Sequence, residues 1–279
     1  MRSGLTLAAG MMAGLWMDTM RRTAQAESAH PPLGDFVDAG GTRLHVLDRG
    51  QGAPVVFLHG AGMLLDDMAL ALMDRAAGSW HAIAVDRPGH GYSDRPSGAA
   101  TPRAQARILH DALVAMNVRK PVIVGHSLGA AVALAYALEF PYQTGGIVVL
   151  GGYAYPTARP DFALFAGPAV PGVGQVLSRT VLQPIDRMLL PSLIQRVFAP
   201  NPVPDGYRLV PTELMLRPSQ LEAAAGDIAA LIPAVAAMAP HYPDIRCPVA
   251  ILAGEEDRIV DPYDHAERLH HDKIGRAHV

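Results

Sequence analysis

Hydrophobic residues along the chain are grouped in short continuous runs, separated by longer stretches with helical spacing. Residues 36–39 and 42–47 flank the pair Gly40-Gly41, which is typical of a β-hairpin. The later runs are apolar throughout, as expected for strands buried on both faces of a parallel sheet. They comprise residues 55–58, 81–85, 121–124, 146–150 and 248–254.

Helical patterns lie between these runs. Thr101 and Pro102 predict the N-cap and first turn of a helix whose apolar positions recur as far as Met116, before Asn117 ends it. An alanine-rich helix is predicted over residues 130–140. The alternation of strands and helices indicates an α/β fold with a doubly wound, mostly parallel sheet.

The strand pattern stops after Gly152 and returns near residue 241. Residues 153–240 contain prolines, loops and short helical patterns, which predict a helical cap inserted over the sheet. Ser219 and Glu222 fit a capping box before a helix that reaches about Ile232. Apolar residues of the cap are expected to line a substrate site or to pack the cap onto the core. They are Phe162, Leu164, Phe165, Val170, Val173, Leu177, Met188, Leu189, Leu190, Ile194 and Phe198.

The most informative segment is Gly-His-Ser-Leu-Gly at residues 125–129. It lies between a predicted strand and a predicted helix, which is the setting of a nucleophile elbow. That turn is tight, so a Cβ at Gly125 or Gly129 would collide with neighbouring backbone. Ser127 is therefore the candidate nucleophile. The alternative is a glycine-rich turn with an ordinary serine.

Three further motifs accompany this segment in the order seen in one superfamily. They are His-Gly-Ala-Gly at residues 59–62, Asp-Arg-Pro-Gly-His-Gly-Tyr-Ser at residues 86–93, and Gly-Glu-Glu-Asp-Arg-Ile-Val at residues 254–260. From about Leu33 to His271 the chain resembles an α/β-hydrolase of the proline-iminopeptidase, epoxide-hydrolase and haloperoxidase-like branch. The motifs specify the fold far more closely than they specify a substrate.

The resemblance implies a set of catalytic roles. Ser127 attacks a carbonyl carbon, and Asp257 orients the histidine that accepts the serine proton. The backbone N–H groups of Leu128 and Ala61 are expected to hold the oxyanion. A serine nucleophile favours acyl transfer to water over dehalogenation or epoxide opening, which use aspartate in this superfamily.

Other carboxylates are weaker candidates for these roles. Glu255, Glu256 and Asp261 are less favoured alternatives for the acid, because Asp257 matches the family position. A solvated loop carboxylate remains the plain alternative for Asp257 itself. We expect Asp86 to shape a turn near the site and not to act in catalysis.

The catalytic histidine is the missing element of the triad. In the family it follows one more strand, and we expect that strand and the last helix to be absent here. His270 and His271 come too early in the sequence, so we assign no catalytic histidine and expect it beyond the C-terminus. His59 and His126 are expected to be structural, with the His126 side chain pointing away from the serine. With this gap, weak or no turnover is expected.

The end of the chain resembles foreign sequence. Residues 274–279, Ile-Gly-Arg-Ala-His-Val, are the translation of part of a common sequencing-library adapter, AGATCGGAAGAGCACACGTC, whose first AG also completes a lysine codon for Lys273. His278 lies in this segment. We therefore expect an adapter-derived tail at residues 273–279, after core segments at residues 30–152 and 241–272 that flank the cap.

Residues 1–29 are expected to form a signal or membrane-anchor segment. An apolar stretch at residues 5–17 is shorter than the roughly 20 residues that span a bilayer. Residues 24–26, Ala-Gln-Ala, resemble a cleavage site, whereas Arg21 and Arg22 favour an uncleaved anchor. The cleaved signal and the uncleaved anchor both stay open. The sequence is therefore compatible with export, with membrane association through the N-terminus and with a cytoplasmic location.

Composition excludes several other classes of function. The chain has 279 residues, half of them hydrophobic, which is sufficient for one large α/β domain. The net charge of −3 and the lack of a basic block argue against nucleic-acid binding. The single cysteine, Cys247, is expected to be a buried structural thiol. We expect no metal or other cofactor, since His265, His270 and His271 are predicted to share a solvated helix face.

These features together predict a serine hydrolase. We expect it to act on an ester-type or other acyl bond of a small hydrophobic substrate through an acyl-enzyme. One alternative is a perhydrolase or acyltransferase with the same site. A second is a non-catalytic binding protein with the hydrolase fold.

Overall fold

The centre of the protein is a single mixed β-sheet. The computed structural model describes residues 2–157, 167–170, 172–272 and 276–277. The strands are β1 (Asp35–Asp38), β2 (Arg43–Arg49), β3 (Pro54–Leu58), β4 (His81–Val85), β5 (Val122–His126), β6 (Gly146–Leu150), β7 (Val249–Leu252) and β8 (Arg276–Ala277). Their order across the sheet is β1-β2-β4-β3-β5-β6-β7-β8.

Most strand pairs are parallel. Only the pairs β1–β2 and β2–β4 are antiparallel among the described strands. The predicted hairpin and the predicted mostly parallel sheet are therefore confirmed. In the register between β3 and β5, Leu58 is opposite Gly125. The loop that follows β3 and the turn that follows β5 consequently begin side by side at the same edge of the sheet.

The sheet edge beyond β7 differs from the expectation of a missing last strand. Arg276 and Ala277 form a two-residue strand that pairs parallel with Ala250 and Ile251. An uncovered strand edge offers unpaired N–H and C=O groups, so any extended backbone that follows can pair with it. These two residues belong to the segment that we expected to be a tail outside the fold.

Helices cover both faces of the sheet. The helices are α1 (Arg2–Ala29), α2 (Leu65–Met68), α3 (Asp74–Ala76), α4 (Pro102–Ala115), α5 (Leu128–Glu139), α6 (Val173–Leu177), α7 (Gln183–Phe198), α8 (Thr212–Met215), α9 (Pro218–Met238) and α10 (Arg268–His271). A π-helical turn joins α2 to α3, and another joins α6 to α7.

The main core lies between the sheet and the pair α4–α5. Ten of the twelve residues of α5 are buried, and half of these ten are alanines. Such small side chains let the helix backbone approach the sheet closely, which favours dense packing. Helix α4 begins as predicted, because the Thr101 side chain accepts a hydrogen bond from the Ala104 backbone N–H. Cys247 packs only partly buried at the margin of this core, so the expectation of a buried thiol is too strong.

Helix α9 begins and ends differently from the prediction. Arg217 is its N-cap residue and Pro218 its first residue, so Ser219 lies inside the first turn and caps nothing. The carboxylate of Glu222 instead accepts a hydrogen bond from the Ser178 hydroxyl at 2.7 Å. The predicted capping box is therefore wrong, and the helix continues past Ile232 through Pro233.

Between β6 and β7 the described residues form helices and loops without strands, as the sequence predicts. The apolar residues of this segment were expected to line a substrate site or to pack onto the core, and only some of them are buried enough to do so. Four of them are exposed to solvent, namely Val170, Val173, Met188 and Leu189. Phe162, Leu164 and Phe165 lie outside the described residues.

The last turn of α1 packs against the rest of the protein. Ala26 is buried in a cluster that includes Leu64 and Leu214. Glu27 Oε1 forms an ion pair with Nη1 of Arg217, at the start of α9, over a distance of 2.9 Å. The segment predicted as a signal or membrane anchor therefore ends in tertiary contacts with both the sheet domain and the helical segment.

One helical stretch of the described residues is long and apolar enough to cross a membrane, and it is α9 with its 3₁₀ extension, residues Pro218–Asp244. Buried core helices meet the same criterion. Leu231, Val235 and Met238 of this helix belong to the main core, which accounts for its composition.

Asp186 in α7 makes stability depend on pH. Burial without a partner raises the pKa of its carboxyl to about 6. The folded state then binds a proton that the unfolded state releases, so stability is lost as pH rises from about 4 through about 6. We expect Asp186→Asn to raise Tm at pH 7 and to remove this pH dependence, measured by thermal melts across the range. Asp205→Asn, at a 97% exposed side chain, is the control and should change neither.

Candidate active site

The turn after β5 has the strained backbone of a nucleophile elbow. Ser127 has a φ of 52° and a ψ of −118°, a conformation that is costly for a residue with a side chain. Three backbone hydrogen bonds hold it there. The Ser127 N–H donates to Leu150 C=O at 3.0 Å, and the Ser127 C=O accepts from Ala130 at 3.1 Å and from Tyr153 at 3.2 Å. The serine is thereby fixed at the carboxyl end of the sheet with its side chain partly accessible.

The two glycines of the elbow are required for space. A Cβ on Gly125 would lie 2.6 Å from Ala130 Cα, and a Cβ on Gly129 would lie 2.6 Å from the Leu58 carbonyl oxygen. Backbone atoms at those distances cannot move aside as a flexible side chain can. The steric requirement inferred from the sequence is therefore present in the structure.

The two expected oxyanion donors lie in the right elements. Leu128 is the first residue of α5, and Ala61 follows Gly60 in the loop after β3. A Cβ on Gly60 would lie 3.2 Å from Ser127 Cβ, which places this loop directly beside the serine. Among the described residues, no acceptor is bonded to the N–H of Leu128 or Ala61. Free N–H groups in these positions fit the binding of a developing oxyanion, and their roles stay predictions.

A buried guanidinium fixes the loop after β3. Arg87 Nε donates to the His59 carbonyl and Arg87 Nη2 donates to the Gly60 carbonyl, both at 3.0 Å. Nη1 donates to Gln105 Oε1 and to Asp227 Oδ2, both at 2.7 Å. With the carbonyls held towards Arg87, the following N–H groups are free to face the serine. This role of Arg87 was not predicted, because only Asp86 of the motif at residues 86–93 was assigned a role, that of shaping a turn.

Asp227 connects the helical segment to this loop. Its carboxylate lies on α9, is fully buried, and pairs with both Arg87 and Arg95. Gln220, two turns earlier on the same helix, donates to the carbonyls of Gly62 and Met63 at 3.2 and 3.0 Å. Helix α9 therefore lies over the loop that carries Ala61.

Asp257 lies in the loop after β7, which is separated from the elbow strand β5 by β6. Its Oδ1 accepts hydrogen bonds from the Ile259 N–H at 2.8 Å and the Val260 N–H at 3.0 Å. Its Oδ2 lies 3.3 Å from the position of a Cβ on Gly151, directly after β6. These contacts fix the carboxylate, with Oδ2 beside the segment that follows β6. Its part in a triad stays a prediction.

The alternative acids are less suitably placed. Glu255 and Glu256 are exposed. Asp261 is exposed too, and its Oδ1 accepts hydrogen bonds from the Tyr263 and Asp264 N–H groups, which is the geometry of a helix cap. Asp257 remains the carboxylate that best fits the position of an orienting acid.

His126 borders the same loop as Ser127. The position of a Cβ on Gly60 is 3.3 Å from His126 Nδ1 and 3.2 Å from Ser127 Cβ, so both groups border the same point. His126 Nδ1 is buried and has no hydrogen-bond partner in the described part of the chain. The direction of the His126 side chain relative to the Ser127 hydroxyl stays a prediction.

The other histidines do not pair with Ser127 or Asp257 within the described residues. His59 is structural, as expected: its Nε2 accepts from the Arg87 N–H at 3.0 Å, and burial together with the Arg87 charge keeps its pKa well below the usual value. His278 lies outside the described residues. The position of a catalytic histidine therefore stays a prediction.

The expected solvated face after Asp257 is only partly correct. His270 and His271 are exposed, but His265 is buried, and its Nδ1 accepts from the backbone N–H groups of Ala154 and Tyr155. The residue sits where α10 packs back onto the segment after β6, which an exposed-helix pattern did not reveal. Across the described residues, His, Cys, Asp and Glu form no group suited to a metal ion.

Asp86 has the structural role expected from the sequence. Its carboxylate accepts hydrogen bonds from the Leu65 N–H at 2.8 Å, the Tyr92 N–H at 3.1 Å and the His45 ring at 2.6 Å. These bonds join the start of α2 to the turn after β4. Gly91 in that turn must lack a side chain, because a Cβ there would overlap the Asp86 carboxyl.

The carboxylate of Asp67 lies near His126. Asp67, on α2, makes no hydrogen bond or ion pair in the described structure. Burial raises the pKa of its carboxyl, and the nearby His126 charge opposes this rise only in part. Burial and the charge of Asp67 also raise the pKa of Tyr207, which lies in the turn before α8.

The buried pair of Arg87 and Asp227 should dominate the stability of this region. Asp227→Ala leaves the Arg87 charge without its carboxylate, and we expect a loss of about 3–5 kcal/mol in the free energy of unfolding. Urea unfolding measures it. Glu222→Ala, which removes the partly exposed pair with Arg179, is the control and should cost about 1 kcal/mol or less. Equal losses in the two variants would contradict the prediction.

Comparison with known proteins supports the assignment of the fold. The chain is 27% identical over 244 residues to 2-hydroxy-6-oxo-2,4-heptadienoate hydrolase of Pseudomonas putida, covering 85% of this chain and 83% of that protein. It is 26% identical over 244 residues to 2-hydroxy-6-oxo-6-phenylhexa-2,4-dienoate hydrolase of Burkholderia cepacia, covering 81% and 79%.

Solved structures give the same result. An esterase from Exiguobacterium antarcticum superposes with a TM-score of 0.72 at 21% identity, covering 88% of this chain and 90% of that one. The enol-lactonase from Burkholderia xenovorans LB400 has a TM-score of 0.68 at 20% identity, covering 87% and 89%. The family model described as alpha/beta hydrolase fold matches residues 53–278. With this match over most of its length, and with the strand order and elbow described above, the chain belongs to the alpha/beta hydrolase family.

Proposed function

We propose that the protein is a serine hydrolase that cleaves an ester-type or related acyl bond through an acyl-enzyme. The observation that carries the proposal is the strained, glycine-flanked Ser127 next to two unengaged backbone N–H groups, those of Leu128 and Ala61. Nucleophilic attack on a carbonyl places negative charge on its oxygen, and such N–H groups stabilise that charge. The family relatives named above are also hydrolases.

The proposed reaction has two stages. Ser127 Oγ attacks the carbonyl carbon while a base takes its proton, and the leaving group departs after receiving a proton. Water then attacks the acyl-enzyme and restores the serine. Asp257 is proposed to orient the base, whose position lies outside the described contacts. Without a positioned base, slow turnover is expected, because the oxyanion donors and binding alone give only residual catalysis.

Labelling with a fluorophosphonate probe tests the nucleophile. We expect covalent modification at Ser127, identified by mass spectrometry of the digested full-length protein, because the probe requires a serine that can attack phosphorus beside an oxyanion site. Ser127→Ala should abolish labelling, and Ser97→Ala, at an exposed loop serine, should leave it unchanged. An unlabelled Ser127 in folded protein would favour the non-catalytic binding-protein alternative.

The carboxylate of Asp67 bears on whether the substrate is charged or neutral. The names of the relatives from Pseudomonas putida and Burkholderia cepacia specify dienoates, which are carboxylates. Here the Asp67 carboxylate, on α2, is close enough to interact with the charge of His126, the residue before Ser127. A substrate carboxylate in that space would meet a like charge in a partly dehydrated setting. We therefore propose neutral, small hydrophobic acyl substrates for this chain.

Two p-nitrophenyl esters of equal acyl length test this preference. We expect the butyrate to have a kcat/KM at least about tenfold above that of the hemisuccinate, which carries a carboxylate at the chain end. Asp67→Asn should narrow the ratio. Asp66→Asn is the matched control, because Asp66 lies near His45, His30 and Asp86 instead. A preference for the hemisuccinate in the parent protein would refute the proposed substrate class while leaving the hydrolase proposal intact.

A further inference from the structure

Exposed apolar side chains are concentrated in two parts of the chain. Of the 21 large hydrophobic residues exposed among the described residues, 12 lie in α1 or in the segment from Val170 to Val197. These parts make up about a fifth of the chain, so the distribution is far from even. Contiguous apolar surface of this kind marks an interaction site in a soluble domain. The 12 residues are Leu7, Met11, Trp16, Met17, Val170, Val173, Val176, Ile185, Met188, Leu189, Leu193 and Val197, and we call them the α1–α7 surface.

Helix α7 presents an apolar stripe to solvent. Ile185, Leu189, Leu193 and Val197 follow one another at intervals of four residues, which places them along one face of the helix. Met188, beside this stripe, is 73% exposed. An apolar helix face normally packs against the core, but this one points outward. The stripe therefore lacks a partner in the described structure.

Helix α1 continues this surface. It packs across the π-helical turn between α6 and α7, and Trp16 shares a groove of about 420 Å³ with Gly172, Val176 and Thr180. Residues 3–17 contain no charged side chain, although most of those whose exposure is described are exposed. A tryptophan beside an uncharged apolar helix suits the boundary between lipid headgroups and acyl chains.

The charge of the same elements favours an anionic partner. Residues 2–29 contain three arginines against Asp18 and Glu27, a net charge of +1. Residues 172–198 contain three arginines against Asp186 alone, a net charge of +2. Arg179 and Arg187 pair with Glu222 and Glu213 of neighbouring helices, and Arg196 has no ion pair among the described residues. The whole chain has a net charge of −3, so the elements that carry the apolar surface are more basic than the rest of the chain. Anionic headgroups attract basic groups beside an inserted apolar face.

We propose that the α1–α7 surface docks on an anionic lipid bilayer, with α1 and α7 lying in the interface and the sheet domain above it. The binding does not depend on the proposed hydrolase activity. Apolar side chains enter the acyl boundary, and arginines at the margin contact lipid phosphate. The helical segment over the site thus becomes the side of the protein that faces the membrane.

Vesicle flotation of the full-length protein tests the proposal. We expect binding to vesicles of phosphatidylcholine with phosphatidylglycerol, and weaker binding to phosphatidylcholine alone. Met188→Asp and Leu7→Asp should each weaken binding at least about tenfold, because each replaces an apolar side chain that the bilayer would bury with a charged one. Val114→Asp replaces a residue of α4 that is 59% exposed, outside the surface, and should bind as the parent does.

A fluorescence measurement in the Trp80→Phe variant supplies a second readout, because Trp16 is then the sole tryptophan. We expect Trp16 emission to be quenched by brominated lipid. Loss of binding in Leu7→Asp but not in Met188→Asp would refute the role of α7 and leave α1 alone as the contact. Absence of vesicle binding, or a dimer in solution that Met188→Asp dissociates, would overturn the bilayer in favour of no partner or a second copy of the chain.

Discussion

The buried Arg87 guanidinium is the interaction on which the geometry of the site depends. A charged group in the interior is tolerated only when its donors are satisfied, and here they reach two carbonyls of the loop after β3, an amide on α4 and a carboxylate on α9. Four chain segments meet at one side chain. Arg87 therefore determines three things at once. They are the orientation of the loop that carries Ala61, the docking of α9 and the charge balance of the interior.

The elbow imposes a second constraint, which is steric. Gly125 and Gly129 allow β5, the turn and α5 to approach the loop after β3, and the alanines of α5 maintain that proximity along the helix. Strain at Ser127 persists because the surrounding backbone hydrogen bonds determine its conformation. Small residues and a buried cation thus cooperate: the former bring the segments together, and the latter fixes how the loop faces the serine.

The sequence predicted local features well, because they depend on neighbours in the chain. Strand positions follow from continuous apolar runs, and the elbow follows from a five-residue motif with a steric reason. Features that depend on distant partners were not predictable in the same way. Arg87 and Asp227 are 140 residues apart, so no spacing rule connects them. The sequence around His265 predicts an exposed helix, and the burial of its ring depends on contacts with the distant segment after β6. The capping box at Ser219 is wrong because the helix already begins one residue earlier, at Pro218.

The fixed end of α1 has a consequence for how the protein would search for substrate. Its last turn is held by Ala26 in a buried cluster and by the pair of Glu27 and Arg217, and β1 starts only a few residues later, at Asp35. These contacts restrict how far the sheet domain can turn relative to the end of α1, which a flexible tether would not do. If α1 lies on a surface, the loop that carries Ser127 is then held within a limited range of heights and tilts above it. Encounter with substrates dissolved in that surface then becomes lateral diffusion in two dimensions.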